Sequence, residues 1–125
     1  MNAILAIAAG GAVGALLRHF SSVFWLKTAG GAFPYGTLFV NVAGAFMIGL
    51  VIELGTLKWH MPLEARYFLV TGVLGAFTTF SAFSLDVFKL VETGQATVAI
   101  VYVLLSVILS LSAVFGAVYL VRGVM

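Results

Sequence analysis

Four stretches of the chain are almost wholly apolar, and short polar interruptions separate them. They run from about residue 3 to 26, 33 to 54, 65 to 90 and 97 to 121. Each is at least as long as the roughly 20 residues a helix needs to cross the hydrocarbon core of a bilayer. The pattern therefore predicts an all-α membrane protein, a single four-helix transmembrane domain over residues 1–125. The interruptions read as loops at Lys27 to Gly31, Glu53 to Glu64 and Glu92 to Gln95. Pro34 fits the first turn of the second helix, where its missing N–H costs nothing. Lys58, Trp59 and His60 give the middle loop an interfacial character with an aromatic anchor.

The apolar segments are not uniform inside. In the first, Ala6, Gly10 and Gly14 recur every four residues, a stripe that lets another helix backbone come close. In the second, Thr37 and Asn41 share one face, among Gly36, Gly44 and Gly49. The third contains the run Gly72-Val73-Leu74-Gly75-Ala76-Phe77-Thr78-Thr79-Phe80-Ser81-Ala82-Phe83-Ser84. Two glycines and four hydroxyls there weaken a helix and offer bonds to freed backbone groups. The run reads as two half-helices with a break near Gly75 to Thr79. In the fourth, Tyr102, Ser106 and Ser110 fall four apart on one face.

Composition agrees with the pattern. Hydrophobic residues make up 63% and charged residues 8%, against about 25% charged in a soluble domain. The mean hydropathy is +1.22. So few charges could not cover a soluble surface. The net charge of +2 comes from six scattered basic residues against four acidic ones, which reads as anchoring at the membrane surface and not as nucleic-acid binding. There is no cysteine, so disulfides and thiolate chemistry are excluded. No Lys or Arg precedes Arg18, so the start of the chain lacks the basic region of a cleaved signal.

Charge placement bears on assembly. With four spans, Lys58, Arg66 and Arg122 fall on one side, and Arg18, Lys27 and Lys89 on the other. Orientation normally follows an excess of Lys and Arg on the cytoplasmic side. A tie is compatible with insertion both ways and an antiparallel homodimer, or with one decisive charge and an accidental balance.

Few residues could carry chemistry. His19 and His60 are the two imidazoles, and Glu53, Glu64, Asp86 and Glu92 the four acids. All lie near predicted helix ends, with no acid pair or metal-ligand spacing, so the chain does not read as an enzyme. Asn41 is the most informative residue. An amide at mid-span must find partners, either in an interhelical bond or on a polar path. A break at membrane depth survives where it is buried in protein or lines a watery cavity; a kink mended by Thr78, Thr79 and Ser81 is the plainer alternative. Phe80 and Phe83 at this spacing are most often packing, although ring edges are positive and can face an anion. Tyr102, Ser106 and Ser110 fit either interhelical bonding or a polar track. Together, an amide, hydroxyls and aromatic edges suit a small, strongly hydrated anion that is released again easily.

The segments Gly10-Gly11-Ala12-Val13-Gly14-Ala15-Leu16-Leu17-Arg18, Gly36-Thr37-Leu38-Phe39-Val40-Asn41 and Gly72 to Ser84 resemble, in order, the Fluc (CrcB) fluoride-channel family. The resemblance covers essentially the whole chain. It implies an antiparallel, dual-topology homodimer in the bacterial inner membrane, with two pores that passively export fluoride and relieve its toxicity. It implies a pore lined by Asn41, Phe80 and Phe83, to which Thr37 is added, with Thr79 and Ser81 near the break and Tyr102, Ser106 and Ser110 as a polar track. Arg18 matches a basic vestibule residue. Gly75 and Thr78 match positions whose backbone carbonyls hold a structural sodium ion at the dimer interface. Val114 stands where the hydroxyl track could continue. Two other functions remain to be weighed. A proton-coupled exporter of the small multidrug type needs a carboxylate in the first span, and none lies between Met1 and Lys27. A non-transporting assembly subunit explains the glycines but not the clustered donors.

Overall fold

The computed structural model describes residues 2–57 and 60–124. Its elements are α1 (Asn2–Ala29), α2 (Tyr35–Leu57), α3 (Leu63–Arg66), a π-helical run (Tyr67–Leu74), α4 (Gly75–Phe77), α5 (Phe80–Glu92) and α6 (Ala96–Val124). Four segments are long and apolar enough to cross a membrane: Asn2–Ala29, Tyr35–Thr56, Leu63–Glu92 and Ala96–Val124.

Several helix ends lie beyond the expected ones. The first helix continues through Lys27, Thr28 and Ala29, so the expected loop starts only at Gly30. Lys and Ala are good helix formers, and Lys27 complements the negative end of the helix dipole. Gly30 ends the helix with φ 80°, donating its N–H to the Leu26 carbonyl at 3.0 Å; glycine enters this left-handed region without steric cost. The second helix starts at Tyr35, immediately after Pro34, whose carbonyl accepts from Leu38 at 3.2 Å. It continues to Leu57, so Glu53 is helical and not in a loop. The expected anchor Trp59 and its neighbour Lys58 lie outside the described residues.

The third apolar segment is the irregular one. From Tyr67 to Leu74 the backbone bonds five residues back, and the Gly75 N–H still reaches the Val70 carbonyl. Gly75–Phe77 is α-helical. Thr78 (φ −87°, ψ 160°) and Thr79 (φ −156°, ψ 123°) are extended, and the chain is helical again from Phe80.

The helices pack in a fixed pattern. Helix α2 runs along α6, α1 lies against the π-helical run and α4, α1 also touches α2, and α5 packs on α6. Gly10 and Gly72 let two backbones come close: a Cβ added to Gly72 would stand 2.8 Å from the Gly10 Cα. A side chain on either helix would force them apart. At the far end of α2, buried Glu53 receives a bidentate contact from Arg122 on α6, at 3.0 Å from Nε and 3.4 Å from Nη2. The core is thin, with Val40 and Tyr102 fully buried and Phe33 and Phe83 packed against the Tyr102 ring. Phe20, Phe24, Ile108 and Phe115 all stand more than half exposed. An outward apolar surface on this scale suits lipid and not water.

Candidate ion path

The site is built around Thr79. In a continuous α-helix the Thr79 N–H would bond the Gly75 carbonyl, four residues back. It bonds the Asn41 side-chain oxygen instead, at 2.7 Å. The same amide donates from Nδ2 to the Thr79 carbonyl at 3.0 Å. Asn41 thus satisfies both polar groups of a residue that has left the helix, which a partly buried backbone requires. One hydrogen of the amide nitrogen is left over.

Thr79 also starts the next helix. Its Oγ1 accepts the Ala82 N–H at 3.0 Å, an N-cap bond that satisfies one of the helix's unpaired donors. In a continuous helix that N–H would have gone to the Thr78 carbonyl. The carbonyls of Gly75 and Thr78 have therefore both lost their helical donors, one to Asn41 and one to the Thr79 hydroxyl. Thr78 mends a different bond, with its Oγ1 donating to the Leu74 carbonyl at 2.9 Å.

Two clefts meet at this point. The larger, of about 470 Å³, includes Asn41, Thr78, Phe80, Phe83, Ser106 and Ser110 in its lining. The smaller, of about 260 Å³, is lined by Arg18, His19, Ser22 and Thr37, among others. Thr79 lines both. A basic, hydroxyl-bearing cleft and a cleft with an amide and two serines therefore lie on either side of one extended residue.

The remaining expected residues divide. The rings of Phe80 and Phe83 are 5.5 Å apart and inclined by 45°. Phe80 is 79% exposed, while Phe83 turns inward to lie 5.1 Å from Tyr102. Ser81 is exposed, with its hydroxyl 3.4 Å from that of Thr79. Ser106 is buried, and its hydroxyl has no hydrogen-bond partner among the described residues. Val114 does line the larger cleft, beyond Ser110.

Tyr102 is placed differently from its two serines. It is fully buried and donates its hydroxyl to Asp86 at 3.0 Å. The sequence reading did not single out Asp86 as a partner. It lies 16 positions from Tyr102 on another helix, and no local pattern marks the pair.

The comparisons with known proteins bear on this arrangement. The family model described as "CrcB-like protein, Camphor Resistance (CrcB)" matches residues 5–118. The chain belongs to the CrcB family. It is 50% identical over 123 residues to the "Fluoride-specific ion channel FluC" of Rhizobium meliloti (strain 1021), covering 98% of each chain. The protein of the same description from Nitrobacter winogradskyi is 45% identical over 119 residues, covering 95% of this chain and 94% of that one. A third, "Fluoride-specific ion channel FluC 1" of Nitrobacter hamburgensis, is 42% identical over 119 residues with the same coverage. The matched region contains every residue of both clefts, so the site belongs to the part that this family shares.

Proposed function

We propose that this protein is a passive, fluoride-selective channel that exports fluoride across the bacterial inner membrane. The observation that carries the reading is the Asn41–Thr79 pairing, set between the Arg18 cleft and the cleft of Ser106 and Ser110. The names of the relatives support the choice of ion.

The extended residues Thr78 and Thr79 break the third span within the membrane. Fluoride enters the smaller cleft, where Arg18 biases the potential and Thr37 offers a hydroxyl. It exchanges water in stages for fixed donors: the spare Asn41 amide hydrogen, the hydroxyls of Thr79 and Ser81, and the ring edges of Phe80 and Phe83. The positive N-terminal end of α5 favours an anion at the same place. Ser106 and Ser110 continue the path on α6. Tyr102 borders it with its ring and leaves its proton with Asp86. The donors are many and individually weak, which lets a strongly hydrated ion leave again. HF crosses membranes and ionises inside a cell, so a passive route and a negative-inside potential suffice for export. No step changes a covalent bond, and the protein is not an enzyme.

The working unit is an antiparallel homodimer with two pores. The even split of basic residues supports opposite insertion of the two chains. A sodium ion at the interface would be held by the backbone carbonyls of Gly75 and Thr78. Those residues fit the ion, because both carbonyls have lost their helical donors and stand at the negative C-terminal end of the half-helix that closes at Phe77. The bound cation supplies positive charge to a cluster of unpaired carbonyl dipoles.

Purified protein in liposomes loaded with either fluoride or chloride tests the function. Fluoride should leave and chloride should stay, at a rate indifferent to a proton gradient. Retention of fluoride overturns the reading.

A further inference from the structure

We propose that His19 is a second anion-capturing group of the vestibule, acting beside Arg18 when its imidazole carries a proton. The inference rests on the channel reading above and adds a residue that the reading does not use. His19 follows Arg18 on α1, and both line the cleft that ends at Thr79. Arg18 is half-buried and His19 exposed. The His19 ring meets Phe20 edge-on at 5.6 Å.

The charges around the cleft decide what such a proton does. Helix α1 contributes Ala15, Arg18, His19 and Ser22, α2 contributes Thr37 and Val40, and the third span contributes Thr79 and Ala82. Among the described residues, Arg18 is the one other titratable or charged group in that lining. The nearest acid in sequence on α5, Asp86, faces Tyr102 instead. A proton on His19 therefore raises the cleft from one positive charge to two, with no carboxylate there to cancel it. Histidine is the side chain whose charge changes in the mildly acid range. A basic cleft concentrates anions at its mouth, so acid conditions should speed capture. Acid outside a cell is also the condition that loads it with HF.

The effect belongs to capture and not to passage, and this separates it from a structural role. Fluoride currents across planar bilayers are recorded at about pH 5.5 and about pH 8, at low and at saturating fluoride. HF is neutral, so its leak carries no current. At low fluoride the wild-type current should rise about threefold on acidification, the gain expected for one added charge some 6 Å away in water. At saturating fluoride the gain should vanish. His19→Gln should give the lower current and His19→Lys the higher one, both without the acid response. A wild-type current that ignores pH, or an acid response that survives in His19→Gln, overturns the inference and leaves the channel intact. The absence of fluoride current in every variant at every pH overturns the channel reading itself, and the inference with it.

Discussion

Asn41 grips the backbone of Thr79 from both sides, accepting its N–H at 2.7 Å and donating to its carbonyl at 3.0 Å. The geometry is that of two residues exchanging bonds across an antiparallel sheet, except that one partner is a side chain. It joins α2 to the point where the third span leaves the helix. Asn41→Ala removes both bonds and leaves two backbone groups unpaired, at about 1–3 kcal/mol each. Fluoride efflux from liposomes should be lost, and the melting temperature in detergent should fall. Asn41→Asp, when ionised, keeps the acceptor and loses the donor, so part of the stability should remain.

The Thr79 hydroxyl caps α5 at the Ala82 N–H. Thr79→Ser preserves the cap, while Thr79→Val removes it. The expected cost for the valine variant is about 1 kcal/mol, the usual value of an N-cap. Thermal unfolding in detergent should place the serine variant near the wild type and the valine variant below it.

Ser106 offers a clean separation of path from scaffold. Its hydroxyl is buried without a hydrogen-bond partner among the described residues and lines the larger cleft. No hydrogen bond among the described residues depends on that oxygen. Ser106→Ala should melt at or above the wild-type temperature, because removing an unsatisfied buried polar group is neutral or favourable. Its fluoride efflux should nevertheless be slower. Unchanged efflux would remove Ser106 from the path.

Two adjacent glycines on α1 make a matched pair. A Cβ at Gly10 would run into the Phe68 carbonyl, whereas one at Gly11 meets nothing within 4 Å. Gly10→Ala should destabilise by about 1–3 kcal/mol through overpacking. Gly11→Ala should be neutral or stabilising by up to about 1 kcal/mol, since alanine is the better helix former. Melting curves of the two variants should therefore move apart.

Arg122 and Glu53 test a different expectation. Glu53 is the buried member, so removing Arg122 alone strands a carboxylate. Arg122→Ala should be less stable than the double variant Glu53→Gln with Arg122→Ala, because an unpaired buried charge costs more than a deleted pair. Melting temperatures of the four members of the cycle decide it.

What the sequence made legible is what depends on local composition. The four apolar segments were plain from length and hydropathy, and Thr78 and Thr79 stood out by their clustered hydroxyls. The partners were not legible. Asn41 and Thr79 are 38 positions apart, so their pairing appears only when α2 meets the third span. The fourth-helix hydroxyls part company for a geometric reason. A helix turns once in 3.6 residues, so positions four apart drift around it. Ser106 and Ser110 reach the larger cleft, while Tyr102, at the start of the series, turns to Asp86. No pattern in the sequence marks the π-helical run, whose residues are as apolar as their neighbours.

That run changes the meaning of the segment's length. Between Tyr67 and Leu74 the chain uses more residues per turn than an α-helix does, so it works as a phase shifter as well as a spacer. The direction in which Gly75, Thr78 and Thr79 point is set by how many residues the preceding turns absorb. Winding the same eight residues as an ordinary α-helix would rotate everything downstream. Asn41 would then face a different peptide group. The alignment of the proposed ion path is in this sense counted out upstream, by residues that supply none of its hydroxyl or amide donors.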